Sequence, residues 1–325
     1  MSPGRTGTPR ALPGMAVAGM TAAVSGLSVF VNSQGVHAIA PPAVYTTAKN
    51  LVATLVLGAV ASLSLRRRRP GGALLERWVA APPAPARSAR GPRHGVAWWA
   101  GLAYVGIVGG GVAFILFFDG LAETAATPAA FLHDGLVVWV AIAAGPILGE
   151  RLRAGNVVVI VLLMAGQVAV LGGVGHLGAS RGEVLVLLAT WLWAVEVVVC
   201  KRLLAELAPG TVSLVRMGVG SGVLLGYLVL TGEAGALGGL SVSQLGWAGA
   251  TGLLLAAYVG TWMTALGRAR AVDVTSVLVG STVITGLLSA LAGTSPLRPA
   301  VAGFALISVG VALQVALGAR RPAPA

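Results

Sequence analysis

Four residues of formal charge, Lys49, Asp134, Glu196 and Arg216, stand well within long apolar stretches of this chain, away from their edges. An unpaired charge in the middle of a bilayer costs about 2.5 to 3.5 kcal/mol on insertion scales, so such groups face a cavity, a partner or a proton path. Two bases and two acids suit two ion pairs, and depth suggests which. Lys49 and Asp134 each lie roughly 10 Å in from one end of their stretches, while Glu196 and Arg216 lie toward the other end. The spacing therefore predicts Lys49 with Asp134 and Arg216 with Glu196, either lining a central path or locking helices together. A carboxylate that alternates between paired and unpaired states can take up and release a proton, which makes Asp134 and Glu196 relay candidates. His133 adds a side chain of the type that titrates near neutrality, its plainer use being a hydrogen bond to a neighbouring helix.

Aromatic residues accompany these charges. Trp193 precedes Glu196 by three residues and Cys200 follows it by four, so all three share one helix face. Tyr258 and Trp262, four apart, share another. Each aromatic either walls a cavity, as in a box for a cation, or packs against a neighbour. Asn32, Ser33, Gln34, Thr46 and Thr47 offer groups that bond a solute or join helices, and the ladder Gly218, Gly222, Gly226 predicts close packing within the chain, with a homodimer contact as its other use. Cys200 is the single cysteine, no Cys/His cluster has metal-ligand spacing and no P-loop occurs, so neither metal, cofactor nor direct nucleotide drive is expected.

The elements that must position these groups follow from composition. Of 325 residues 56% are apolar and 10% charged, against about 25% charged in soluble domains, and the mean hydropathy is +0.88. Such a chain belongs in a membrane. A helix needs about 20 residues to cross the hydrocarbon, and ten segments qualify: 14–34, 42–65, 95–118, 126–148, 155–174, 182–200, 209–231, 245–266, 272–292 and 299–318. The segments are apolar on every face, unlike surface helices of soluble proteins, and lack the alternation of barrel strands. Arg5 and Arg10 before the first run, with Ala38-Ile39-Ala40 after it, resemble a secretory leader, but the run is longer than a leader's apolar region and reads as the first span.

The net charge of +12 comes from 22 Lys and Arg against 10 Asp and Glu. The basic residues collect in alternate gaps, as topology requires, and form no stripe for nucleic acid. With the N-terminus in the cytoplasm, only Arg181 and Arg298 fall on the opposite side outside the spans, so both termini are predicted to be cytoplasmic in a cell inner (plasma) membrane. The loop 66–94, with its arginine run, reads as a flexible connector that anchors topology and meets anionic lipid heads.

The halves also repeat. Pro42 to Lys49 matches Pro209 to Arg216, Trp99-Ala100-Gly101 matches Trp247-Ala248-Gly249, and the step Gly149 to Gly166 equals Gly293 to Gly310. Five spans per unit is an odd number, so the second unit enters the membrane in the opposite sense. The expectation is an all-α membrane protein of ten helices in two inverted five-helix repeats, 1–174 and 175–325. Inverted halves can expose a site between them to each side in turn.

Gly149-Glu150-Arg151-Leu152, Trp191-Leu192-Trp193-Ala194, and Lys201-Arg202-Leu203-Leu204 followed by Pro209 and Arg216 resemble the EamA-like members of the drug/metabolite transporter superfamily. The sequence departs from that pattern at Gly293-Thr294, where a second Gly-Glu is expected, and at Gly280-Ser281, where a Glu-Pro pair is often seen. The resemblance implies a secondary carrier, many such proteins exporting amino acids, other metabolites or drugs. The expected function is alternating-access export of a small organic solute, the competing one a membrane-embedded enzyme acting on lipid or isoprenoid substrates. The latter requires a polar catalytic cluster at an interface, and the acids here are scattered.

Overall fold

The structure is a computed structural model that describes residues 14–66, 95–124, 126–176, 178–294 and 300–319. Most of the basic loop 66–94 lies outside the described residues, as do Arg5, Arg10, Arg298, Arg320 and Arg321. Among the described residues ten helices are long and apolar enough to cross a membrane: span 1 Gly14–Ala38, span 2 Pro42–Ser64, span 3 Val96–Glu123, span 4 Pro128–Leu148, span 5 Ala154–Leu171, span 6 Arg181–Leu203, span 7 Pro209–Leu230, span 8 Val242–Arg268, span 9 Ala271–Leu291 and span 10 Val301–Gly318. Large apolar residues such as Leu55, Trp191 and Leu253 face outward, as lipid-facing positions must.

The two repeats interleave. Span 1 packs on spans 8 and 9, span 2 on 7 and 8, span 3 on 6 and 7, span 4 on 6 and 9, and span 5 on 10. Replacing every span by its counterpart five further on turns 1 against 8 into 6 against 3, 1 against 9 into 6 against 4, and 2 against 8 into 7 against 3. The contacts 2 against 7, 4 against 9 and 5 against 10 map onto themselves. That is the contact pattern of a pseudo-two-fold axis, and it places matching glycines in matching roles. Gly149 and Gly293 each follow the last turn of their spans with φ of 70°, the left-handed conformation that glycine adopts without a Cβ clash. Gly166 and Gly310 let spans 5 and 10 touch, where a Cβ would strike Ile307 or Leu163.

Three spans depart from uniform helix. Span 4 divides into Ala126–Asp134 and Leu136–Leu148 at Gly135, and its counterpart span 9 into Ala271–Leu278 and Ser281–Leu291 next to Gly280. At both breaks the chain shifts to tighter bonds, Val138 N to Gly135 O at 3.0 Å and Gly280 N to Val277 O at 3.0 Å. Span 3 widens into a π-helix over Val105–Val112. Irregular backbone at membrane depth is tolerated where protein or a cavity covers it; Gly109, Gly110 and Gly111 of the π-segment are buried, as are Asp134 beside the first break and Val279 beside the second.

The expected glycine ladder is corrected. A Cβ would meet nothing within 4 Å at Gly222 or Gly226, whereas at Gly220 it would strike the backbone of Gly110. The close helix contact therefore uses Gly220 on another face of span 7, against the π-segment.

Candidate functional site

The π-segment is where the site is built. Gly109-Gly110-Gly111 lets span 3 lie against span 7, and a Cβ at Gly109 would collide with the carboxylate of Glu196. In the space so opened, Arg216 from span 7 meets Glu196 from span 6, Nε to Oε1 at 2.5 Å and Nη2 to Oε2 at 3.1 Å. Nη2 also donates to Gly109 O at 3.3 Å, and Trp193 Nε1 donates to the same oxygen at 3.0 Å. Both partners are buried. The guanidinium fork thus bonds both carboxylate oxygens, the strongest geometry for such a pair.

The other expected pair is not formed. Span 2 packs on spans 7, 8 and 3, and span 4 on spans 6, 9 and 5, so equal depth does not bring Lys49 to Asp134. Lys49 Nζ donates to Asn32 Oδ1 at 2.9 Å and lies 3.6 Å from the centroid of the Phe118 ring. Asp134 Oδ2 instead accepts from Gln167 Nε2 of span 5 and from Thr282 Oγ1 just beyond the break in span 9. One carboxylate oxygen thus ties the two interrupted spans together.

All eight candidates, Lys49, His133, Asp134, Trp193, Glu196, Arg216, Tyr258 and Trp262, line one cavity of about 430 Å³, within the size range of small-molecule sites. Phe114 and Phe117 join Trp193 and His133 in an aromatic wall, with His133 5.2 Å from both Phe117 and Trp193 between ring centroids. The buried Nδ1 of His133 has no hydrogen-bond partner among the described residues. Tyr258 and Trp262 stack at 6.1 Å on the facing side. Asn32 and Ser33 also reach the cavity. Thr46 and Thr47 bond back to Pro42 O and Ala43 O of their own helix, and Cys200 is buried away from the cavity.

The cavity is one-sided. Its lining runs from Arg216, Glu196 and Trp262 at mid-bundle to Leu121, Ala129 and Ala300, where spans 3 and 4 meet and span 10 begins. The opposite end is held by polar bonds. Lys201 Nζ donates to Leu266 O and Ala269 O, and Arg202 Nη2 to Ile147 O, at 2.6, 2.7 and 2.6 Å; these cations satisfy carbonyls that end spans 8 and 4. Glu150 accepts from Ala271 N at 3.0 Å and so caps span 9, without facing the cavity. Beside it Gln314 Nε2 donates to Asp273 Oδ1 at 2.8 Å, and Asn156 Nδ2 to Asp273 Oδ1 and Gln314 Oε1 at 3.2 and 3.3 Å.

Sequence reasoning missed Gln167, Thr282, Asp273, Gln314 and Asn156. Charge drew attention to the span interiors, whereas neutral amides pass unnoticed there and Asp273 sits at a span edge. A signal was present: Gln167-Val168-Ala169 in span 5 recurs as Gln314-Val315-Ala316 in span 10, and each glutamine holds an aspartate of the interrupted span before it.

The EamA-like transporter family matches this chain twice, over residues 12–172 and 180–316, so the match divides where the helical repeat divides. No curated protein matches the chain. A solved structure described only as "Crystal structure of protein" is similar over 94% of this chain and 99% of its own, with a TM-score of 0.67 and 19% identity; likeness at that identity is a likeness of fold.

Proposed function

The chain belongs to the EamA-like transporter family, and from that premise we propose that it is a secondary carrier exporting small organic metabolites, amino acids among them, by alternating access. The observation that supports this most is the one-sided cavity between pseudo-symmetric halves, polar and aromatic inside and shut at one end by bonds between span termini. With both termini in the cytoplasm of a plasma membrane, as the distribution of basic residues argues, the cavity faces outward and the bonded end faces the cytoplasm. Exchange of roles between the two repeats then gives the inward-facing state.

Solute movement is coupled to proton exchange at Asp134. Its Oδ2 bonds Gln167 and Thr282 from two different spans, so a change in protonation alters the link between the interrupted helices as the path changes sides. Glu196 is already committed to Arg216.

Counterflow in proteoliposomes, with a panel of amino acids, organic acids and cationic drugs, tests the reading. At least one compound is expected to exchange across the bilayer, and an imposed pH gradient to change its rate. Asp134→Asn should keep counterflow but lose the response to the gradient. Chemical conversion of a compound without its movement would instead indicate an enzyme.

A further inference from the structure

Lys49 and Arg216 occupy matching places in the two repeats, each seven residues beyond the proline that opens its span. Their surroundings differ. Arg216 is neutralised by Glu196 on both sides of its fork. Lys49 has no carboxylate within ion-pair distance among the described residues. Its polar partner is the side-chain oxygen of Asn32, which also accepts from the Tyr45 hydroxyl at 2.6 Å. The cause is visible along the chain: span 6 carries Glu196, and its counterpart span 1 contains no acidic residue.

A buried cation without a counter-ion is costly. The ring faces of Phe118 and Tyr45, 3.6 and 5.0 Å from Nζ, ease its burial but cancel no charge. Lys49 is only 2% exposed yet lines the cavity, so an anion that enters with the solute can reach it and neutralise it there. Asp134 cannot serve, being bonded to spans 5 and 9 on another wall.

We propose that Lys49 is the binding group for the negative charge of the transported solute: the cavity takes an organic carboxylate, its head group at Lys49 and an apolar or aromatic body along Phe114, Phe117 and Trp193. The proposal rests on the carrier reading and narrows it to a solute class. Arg216, already paired, takes no part in binding. An amino acid and a plain carboxylic acid share the head group, and the probes separate them.

The full chain, purified in detergent, is titrated with 3-phenylpropionate, L-phenylalanine and phenethylamine, and the same probes are used for counterflow. At least one carboxylate is expected to bind and the amine not to; binding of 3-phenylpropionate with L-phenylalanine identifies the carboxylate as sufficient, and binding of L-phenylalanine alone adds a requirement for the ammonium. Lys49→Gln should weaken carboxylate binding about tenfold or more, with partial recovery in Lys49→Arg. Asn32→Asp provides a second route that keeps the lysine: a carboxylate supplied by the chain should neutralise Lys49, raise the thermal midpoint and displace the solute's carboxylate. The proposal is overturned if phenethylamine binds as tightly as the acids, if neither acid binds, or if affinity survives within about twofold in a folded Lys49→Gln or Asn32→Asp variant. Lysine-dependent binding without counterflow would sink the carrier reading and leave the site, whereas counterflow of phenethylamine alone would sink the site and leave the carrier.

Discussion

Glu196 and Arg216 are the residues whose removal tests the core of the bundle. Replacing one partner of a buried ion pair strands the other charge, at a cost of about 3 to 5 kcal/mol. Glu196→Gln should therefore lower the thermal midpoint and the folded yield sharply. The double variant Glu196→Gln/Arg216→Met should regain much of both, since no orphaned charge remains; measuring the four proteins of that cycle gives the coupling directly. If transport returns together with folding, the pair is a lock between spans 6 and 7. If folding returns alone, the pair belongs to the solute path. Depth along a helix was readable from the chain, and it correctly joined these two residues. It failed for Lys49 and Asp134 because two groups at one height still differ in their direction around the bundle, and that direction depends on which spans are neighbours.

Spans 3 and 7 owe their closeness to Gly110 and Gly220, whose backbones leave no room for a side chain between them. Gly110→Ala should push the helices apart, breaking the bond from Arg216 to Gly109 O and lowering the thermal midpoint. Gly222→Ala, in open space on the outer side of span 7, should change it little; melting curves of the two variants side by side check the contrast. All ten spans were legible as long apolar runs, with ends displaced by a few residues. Neither the breaks at Gly135 and Gly280 nor the π-segment was legible. Glycine is common within membrane helices, so its presence does not mark the few places where the helix yields.

Across the whole molecule, the proposed alternating access makes the bonded end and the cavity end alternatives that the two repeats trade. Asp273 is held by Gln314 and Asn156 opposite the cavity, so Asp273→Asn should weaken that closure and shift the population inward. A reporter follows from the lining: Ser289→Cys, at the cavity mouth, should react with a membrane-impermeant thiol reagent from outside, and more slowly in the Asp273→Asn background. Cys200 is buried and should stay silent. Equal labelling in the two backgrounds would detach the Asp273 network from the access change. The chain by itself determined that the protein lives in a membrane, how many times it crosses and how its halves repeat, because apolar length, basic gaps and residue order are one-dimensional properties. Only the tertiary structure decided which buried cation meets a carboxylate and which meets a neutral amide. Helix neighbours, azimuth and the close approach of glycine backbones exist only once the spans are packed, and they paired Arg216 while leaving Lys49 with a neutral amide and a ring face.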